Sequence, residues 1–272
     1  MFRKKKNCKI AHIPAGRLYI RAVTLTDRGC VRSNNEDRAA FLFMGGSRTD
    51  FFAVLADGMG GYERGEVASA IMVDTVCDDS GRTMCRNPRR WMADLFRRAN
   101  RHIYERAMQL QSVMGTTCSM LLIRNKKIYC AHIGDSRIYL LTDGQLQQLT
   151  CDHTVVGEMM RRGGITREEA AMHPQRNILT KAVGTNPDIE PDVFRVASPV
   201  RKGSRFLLCS DGLYDMAPDA EIRRLLALPS LKAAAISLVN AAKERGGYDN
   251  ISVVIVEIND RSNIPDDETS RI

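Results

Sequence analysis

Phe51-Phe-Ala-Val-Leu-Ala-Asp57-Gly-Met-Gly-Gly61 is the stretch from which the rest of the chain is best read. Its apolar start, with aromatic and β-branched members, predicts a buried strand, and the run stops at Asp57, where glycines take over. A carboxylate is thereby delivered at the end of a strand. Gly58, Gly60 and Gly61 lack a Cβ, so the backbone there can turn sharply and bring a main-chain carbonyl close to a ligand. An ordinary Asp-Gly turn after a strand would look the same, so the motif alone decides nothing about chemistry.

Repetition decides more. Ile128 to Ile133 runs into Gly134-Asp135-Ser136-Arg137, and Phe206 to Cys209 runs into Ser210-Asp211-Gly212. Gly246-Gly247-Tyr248-Asp249-Asn250 stands just before the apolar run Ile251 to Ile258. Each places an Asp at a strand end beside a small residue. If these ends converge, unit charges ~4 Å apart repel by ~1 kcal/mol in water and ~4 kcal/mol at an effective dielectric of 20. Divalent cations relieve such repulsion, and oxygen-only ligands select Mg²⁺, Mn²⁺ or Ca²⁺ over zinc or copper.

Taken in order, Arg32-Ser-Asn-Asn-Glu36-Asp37, Asp57-Gly-Met-Gly-Gly61, Gly115-Thr-Thr117, Gly134-Asp-Ser-Arg137, Ser210-Asp-Gly-Leu213 and Tyr248-Asp-Asn250 resemble the motifs of the PPM family. These are metal-dependent serine/threonine protein phosphatases, also called phosphatase 2C-like, and the Asp-Gly-Met-Gly-Gly form resembles bacterial-type members. The resemblance runs from roughly Ile20 to Ile258. It implies an α+β fold of two stacked antiparallel β-sheets flanked by pairs of helices, with a flap insertion over about 151–187. It further implies hydrolysis of phosphoserine and phosphothreonine in proteins by a water or hydroxide bridging two metal ions, Mn²⁺ or Mg²⁺, with no phosphoenzyme.

Carried over residue by residue, Asp57 resembles the carboxylate bridging both ions, with the Gly58 carbonyl on one of them. Asp211 and Asp249 match ligands of the first ion; Glu36 matches the second ion's carboxylate, and Asp37 supports it. Asp135 matches a weaker third metal position shared with Asp211. Arg32 resembles the phosphate clamp, since a guanidinium grips two phosphate oxygens in a fork that Lys cannot reproduce; alone, it would read as a surface salt-bridge partner. One departure is Met59, where some members carry a His able to protonate the leaving alkoxide. His153 and His173 fall in or near the flap, where structural or surface roles are expected of them. Thr116 and Thr117 are expected to support the site.

The 272 residues and 44% hydrophobic content suffice for one large domain, and Glu36 and Asp249 share a site only if the chain closes on itself. The predicted layout is a basic, mobile segment over 1–17, a phosphatase domain over 18–260 and a polar tail over 261–272. The net charge of +8 concentrates at Arg3 to Lys9 and from Arg82 to Arg106. Without aromatic interleaving this predicts a solvated face or docking patch and no nucleic acid. The eight cysteines lack metal-ligand spacing and read as reduced residues of a cytoplasmic protein. No apolar run of seven follows the basic start, and no membrane-spanning stretch is present.

Helices are predicted over Glu66 to Val76, Pro88 to Gln111, Glu221 to Leu228 and Leu231 to Lys243, and an antiparallel meander over Thr116 to Leu149. The expected partners are phosphoprotein substrates and a cognate serine/threonine kinase, with the protein a monomer. A catalytically weak regulatory or binding module on the same fold is the alternative, disfavoured because Asp57, Asp211 and Asp249 are all present. A serine hydrolase built on Ser210 and Asp211 lacks the G-x-S-x-G elbow.

Overall fold

The computed structural model describes residues 7–15, 18–43, 50–60, 64–80, 87–124, 127–197 and 201–260. In chain order the elements are β1 (Asn7–Ala15), β2 (Leu18–Asp27), β3 (Asp37–Phe43), β4 (Phe51–Gly60), α1 (Gly65–Ser80), α2 (Pro88–Gln109), β5 (Met114–Thr116), β6 (Cys118–Arg124) and β7 (Lys127–Ile133). There follow β8 (Arg137–Thr142), β9 (Gln145–Gln148), α3 (Val155–Arg161), α4 (Arg167–Met172), β10 (Asp192–Arg195), β11 (Arg205–Cys209), α5 (Asp211–Tyr214), α6 (Asp219–Leu226), α7 (Leu231–Glu244) and β12 (Ile251–Asp260).

One sheet has the order β1-β2-β12-β11-β8-β9 and the other β10-β7-β6-β4-β3, with β5 added to the end of β4. The strands pair antiparallel throughout. Alternation along β4 explains its unbroken apolar run. Phe51, Ala53 and Leu55 face the second sheet, whereas Phe52, Val54 and Ala56 face α1 and α2, so both sides of the strand are core. Central β12 does the same: Val254, Val256 and Ile258 lie between the sheets, and Val253 and Ile255 pack under α7. The layers are therefore helix, sheet, sheet, helix, as the resemblance implied.

The flanking helices start where side-chain acceptors meet free backbone donors. Asn87 accepts from the Arg89 and Arg90 N–H groups before Pro88 opens α2, and Ser230 accepts from Ala233 at the start of α7; such caps contribute about 1 kcal/mol each. Trp91, Leu95, Ala99 and Ile103 form the buried stripe of α2. Its arginines face outward and find acids: Arg97 meets Glu190 at 2.9 Å and Arg98 meets Asp79 at 2.8 Å.

Several expectations change. β5 to β9 are not one meander: β6 and β7 form a hairpin in one sheet, while β8 pairs with β11 in the other. Gly134, at φ +102°, lets the chain cross between sheets. The strand at Phe51 does not end at Asp57 but runs to Gly60, exchanging β6 for β5 as its neighbour. Asn7–Ala15, expected outside the domain, adds an edge strand along β2. Asp211 opens a short helix, α5, that periodicity could not reveal. The tail over 261–272 lies outside the described residues.

Candidate metal centre and active site

Antiparallel pairing brings the ends of β2, β4, β7 and β11 and the starts of β3, β8 and β12 to one rim of the sandwich. Asp37 and Asp57 are direct cross-strand partners in β3 and β4, where side chains share a face and like charges repel. Asp135 stands at the crossing between β7 and β8, Asp211 opens α5 after β11, and Asp249 precedes β12. Glu36 enters β3 beside them.

Hydroxyls and amides fix each arm. The Asp57 carbonyl accepts from Thr117 N–H at 2.8 Å and Thr116 Oγ1 at 2.8 Å, while its N–H donates to Thr117 Oγ1 at 3.1 Å. Thr117 Oγ1 also meets Ser136 Oγ at 2.5 Å, tying the Asp57 strand to the Asp135 corner. Ser210 Oγ donates to Asp37 Oδ2 at 2.9 Å and accepts from Ser252 N–H at 3.0 Å. Asn250 knits the entry loop to β12: its Oδ1 accepts from Glu36 N–H at 2.8 Å, and its Nδ2 donates to the Arg28 and Asn34 carbonyls at 2.9 Å. Thr116, Thr117, Ser210 and Asn250 thus hold the segments of Asp57, Asp37 and Glu36 in place.

The carboxyl groups feel one another. Burial, then Asp37, Asp211, Asp135 and Asp249, holds Asp57 well above the usual carboxylate range. Burial and the charges of Asp135 and Asp249 do the same to Asp211. Asp37 is pushed up to about 6 by burial and Asp249, against the hydrogen bonds from Ser252 and Ser210. Asp135 is pushed up to about 7 by burial and Asp152, with Arg137 opposing. Glu36 is raised by burial and by Glu66.

These residues fit a hard divalent cation. Asp37 Oδ1, Asp211 Oδ1 and Glu66 Oε2 are buried with no hydrogen-bond donor, and the donor set is all oxygen. Among the described residues no three acidic, His or Cys side chains already enclose one point. The carboxylates instead gather more loosely at the rim, an arrangement suited to ions that keep several waters. Glu66, whose charge bears on Glu36, was missed from sequence because an acid in the first turn of a helix ordinarily serves the helix dipole; Asp215, whose charge bears on Asp211, is the C-cap of the short helix α5.

Arg32 stands at the mouth, its Nη2 2.6 Å from Asp249 Oδ2. With Ser33, Asn34, Glu36, Gly60 and Asn250 it lines a cleft of about 180 Å³. A larger cavity of about 610 Å³ lies at the opposite end of the sheet, beside Leu141, Arg223 and Arg224. Its one aspartate, Asp143, is not among those at the rim, and its Arg205 is already engaged by Glu257 and by the Leu226 and Leu228 carbonyls.

The flap histidines take structural and surface places. His153 is buried; its Nδ1 accepts from Gly134 N–H at 3.1 Å and its Nε2 faces Asp192 at 3.2 Å. Its imidazole stacks on His132 with centroids 5.0 Å apart, and burial lowers its pKa. It buttresses the turn before Asp135. His173 is the half-exposed C-cap of α4.

The titrations give the sign of a pH effect. Asp37, at 3.8 in the reference state and about 6 when folded, binds its proton more tightly in the native protein, and Asp135 behaves likewise at about 7. In the metal-free protein, their contribution therefore reduces stability progressively as pH rises from the unfolded to the folded values. Cation binding needs the deprotonated forms and strengthens over the same window. Calorimetric Mn²⁺ titration is expected to show at least ~10-fold weaker binding at pH ~5.5 than at pH ~7.5, with protons released. Affinity independent of pH would contradict the shared carboxylate cluster.

A profile of the family described as Protein phosphatase 2C matches residues 30–245. The serine/threonine protein phosphatase PstP of Mycobacterium tuberculosis is 36% identical over 250 residues, which cover 89% of this chain and 46% of PstP. The chain thus spans about half the length of that relative. The serine/threonine phosphatase Stp of Listeria innocua is 36% identical over 242 residues, covering 86% of this chain and 94% of Stp. A crystal structure of the catalytic domain of PstP in complex with 2 manganese ions superposes with a TM-score of 0.78 at 34% identity, covering 89% of this chain and 100% of that one. With the motifs in order, the sandwich shared and the profile spanning most of its length, the chain belongs to the protein phosphatase 2C family of serine/threonine phosphatases.

Proposed function

We propose that this chain hydrolyses phosphoserine and phosphothreonine in proteins with two divalent cations, Mn²⁺ or Mg²⁺, held by the rim carboxylates. The observation that carries the reading is the direct opposition of Asp37 and Asp57 across β3 and β4, with Asp135, Asp211 and Asp249 all acting on Asp57. The two manganese ions in the PstP catalytic domain support it. Asp57 would be the shared ligand; Asp211 and Asp249 would serve the first ion and Glu36 the second, with the Gly58 carbonyl on one of them and Asp37 in support. Asp135 with Asp211 is a weaker third position. Bound there, the cations neutralise the carboxylates and acidify a water to give a nucleophile near neutral pH.

Arg32 binds and orients the phosphate. Asp249 holds its guanidinium at the mouth of the cleft, where two N–H groups can fork onto two phosphate oxygens. Met59, which no proton can leave, excludes a side-chain acid at that position. The catalytic unit is the segment 18–260 with its flap, extended by the edge strand Asn7–Ala15, and it acts as a cytoplasmic monomer opposed by a serine/threonine kinase. Among the described residues no helix is long and apolar enough to cross a membrane.

Phosphate release from a phosphothreonine peptide and a phosphotyrosine peptide, both with Mn²⁺, tests the proposal. Turnover of the first well above the second is expected; no turnover of the phosphothreonine peptide by folded, Mn²⁺-loaded protein would overturn it. Arg32→Lys keeps the charge and loses the fork. Charge-assisted hydrogen bonds contribute ~1.5–3 kcal/mol, so kcat/KM is expected to fall roughly 10- to 100-fold at unchanged Tm. Wild-type kinetics in that variant would return Arg32 to a surface ion pair.

A further inference from the structure

Beside the Asn250 bonds, two further contacts join the loops that carry Arg32 and Asp249. Cys30 N–H donates to the Gly247 carbonyl at 2.8 Å, and Arg32 Nη2 reaches Asp249 Oδ2 at 2.6 Å. Val31 and Tyr248 each lie between these contacts along their own loop, next in sequence to Arg32 and to Asp249. The junction is tight: a Cβ on Gly29 would overlap the Asp249 carbonyl, and one on Gly246 would lie 2.6 Å from the Tyr248 ring. The ring is thereby supported from beneath while its outer part faces solvent. Val31 and Tyr248 are each 62% exposed, among the few large apolar side chains that are open to water.

The cleft beside them is small. At about 180 Å³ it has the volume of roughly six waters, room for a phosphate ester and its side chain. The peptide on either side of the phosphorylated residue must cross the rim. With the phosphate on Arg32, the neighbouring residues pass over the two side chains that flank the Arg32–Asp249 pair.

We propose that Val31 and Tyr248 form an apolar contact surface for the substrate peptide, giving this chain a preference for a phosphorylated residue flanked by an apolar side chain. The proposal rests on the phosphatase reading and adds the substrate class. Tyr248 suits the role, since an aromatic ring supplies a large contact area at little conformational-entropy cost and keeps its hydroxyl in water. Covering an apolar neighbour on this surface removes both partners from solvent.

The test uses fluorescent peptides carrying a non-hydrolysable phosphonate analogue of phosphoserine, flanked on both sides by Leu or by Ser. Dissociation constants are read by anisotropy at saturating Mn²⁺. The wild-type protein is expected to bind the Leu peptide about 10-fold more tightly, roughly 1.4 kcal/mol. In Val31→Ser/Tyr248→Ser the ratio should fall to about 2 or below, and in Tyr248→Leu, which keeps an apolar surface, most of it should remain. Equal affinities in the wild type, an undiminished ratio in the double variant, or no binding of either peptide would overturn the proposal. Turnover of the matching phosphoserine peptides is measured separately. Its absence would overturn the catalytic reading, while the ratio of affinities still decides the docking surface.

Discussion

Asp57→Asn is expected to abolish most turnover while making the metal-free protein more stable. The substitution keeps the shape of the side chain and removes the charge that Asp37, Asp211, Asp135 and Asp249 all repel. Without cations that repulsion only destabilises the native state, so thermal unfolding in chelator should shift upward, by about 2–4 °C for each kcal/mol relieved. In the proposed site the same charge becomes the shared ligand once cations bind. Removing one partner from a buried ionic arrangement costs ~3–5 kcal/mol, or roughly two to four orders of magnitude if expressed in the rate. Differential scanning calorimetry with and without Mn²⁺ reads both effects. A variant that keeps the wild-type Mn²⁺-induced rise in Tm would contradict the bridging role, whatever its activity.

Gly58→Ala should damage stability and metal binding together. A Cβ at Gly58 would overlap the Gly65 carbonyl oxygen and lie 2.7 Å from the Glu36 carbonyl oxygen. Both are backbone atoms, so neither can swing aside. Gly65 is equally confined, its own missing Cβ leaving space beside Glu36 Oε2. β4, the start of α1 and the entry to β3 therefore meet at one point, and any shift moves Glu36, Asp57 or the Gly58 carbonyl. Overpacking of this kind costs ~1–3 kcal/mol. Mn²⁺ affinity and kcat/KM are each expected to fall at least ~10-fold, the result of a displacement worth ~1.4 kcal/mol at the ligands. Gly144→Ala is the control. Gly144 has φ +73° with open space around it, so Ala there costs ~1–2 kcal/mol of backbone strain and should leave Mn²⁺ affinity unchanged. Equal Mn²⁺ affinity in Gly58→Ala and the wild type would show that the close packing around Gly58 does not position the ligands.

Much of this was legible in the sequence because strand chemistry is local. The Phe51 to Ala56 run predicts a strand with both faces buried, and each Asp beside a small residue marks a place where backbone and carboxylate approach a common point. What escaped was set by distant partners. Gly134-Asp135-Ser136 looks like a tight hairpin until Ile138 pairs with Leu208 in the opposite sheet; no local pattern encodes that choice. The polar start looked unstructured, yet Asn7–Ala15 is an edge strand, a place that tolerates a charged residue such as Lys9 where a central strand would not. α5 is a single short turn packed against Asn250, below the length at which periodicity speaks. Glu66 was hidden by its ordinary place at a helix start, and its unpartnered buried oxygen appears only once β3 and α1 are brought together.

The central claim is that these carboxylates work by holding divalent cations, and chelation tests it most directly. Hydrolysis of a phosphothreonine peptide would be followed in protein stripped of metal, then after addition of Mn²⁺. The account predicts no turnover in chelator and full recovery with Mn²⁺; undiminished turnover by protein shown to be metal-free would contradict it.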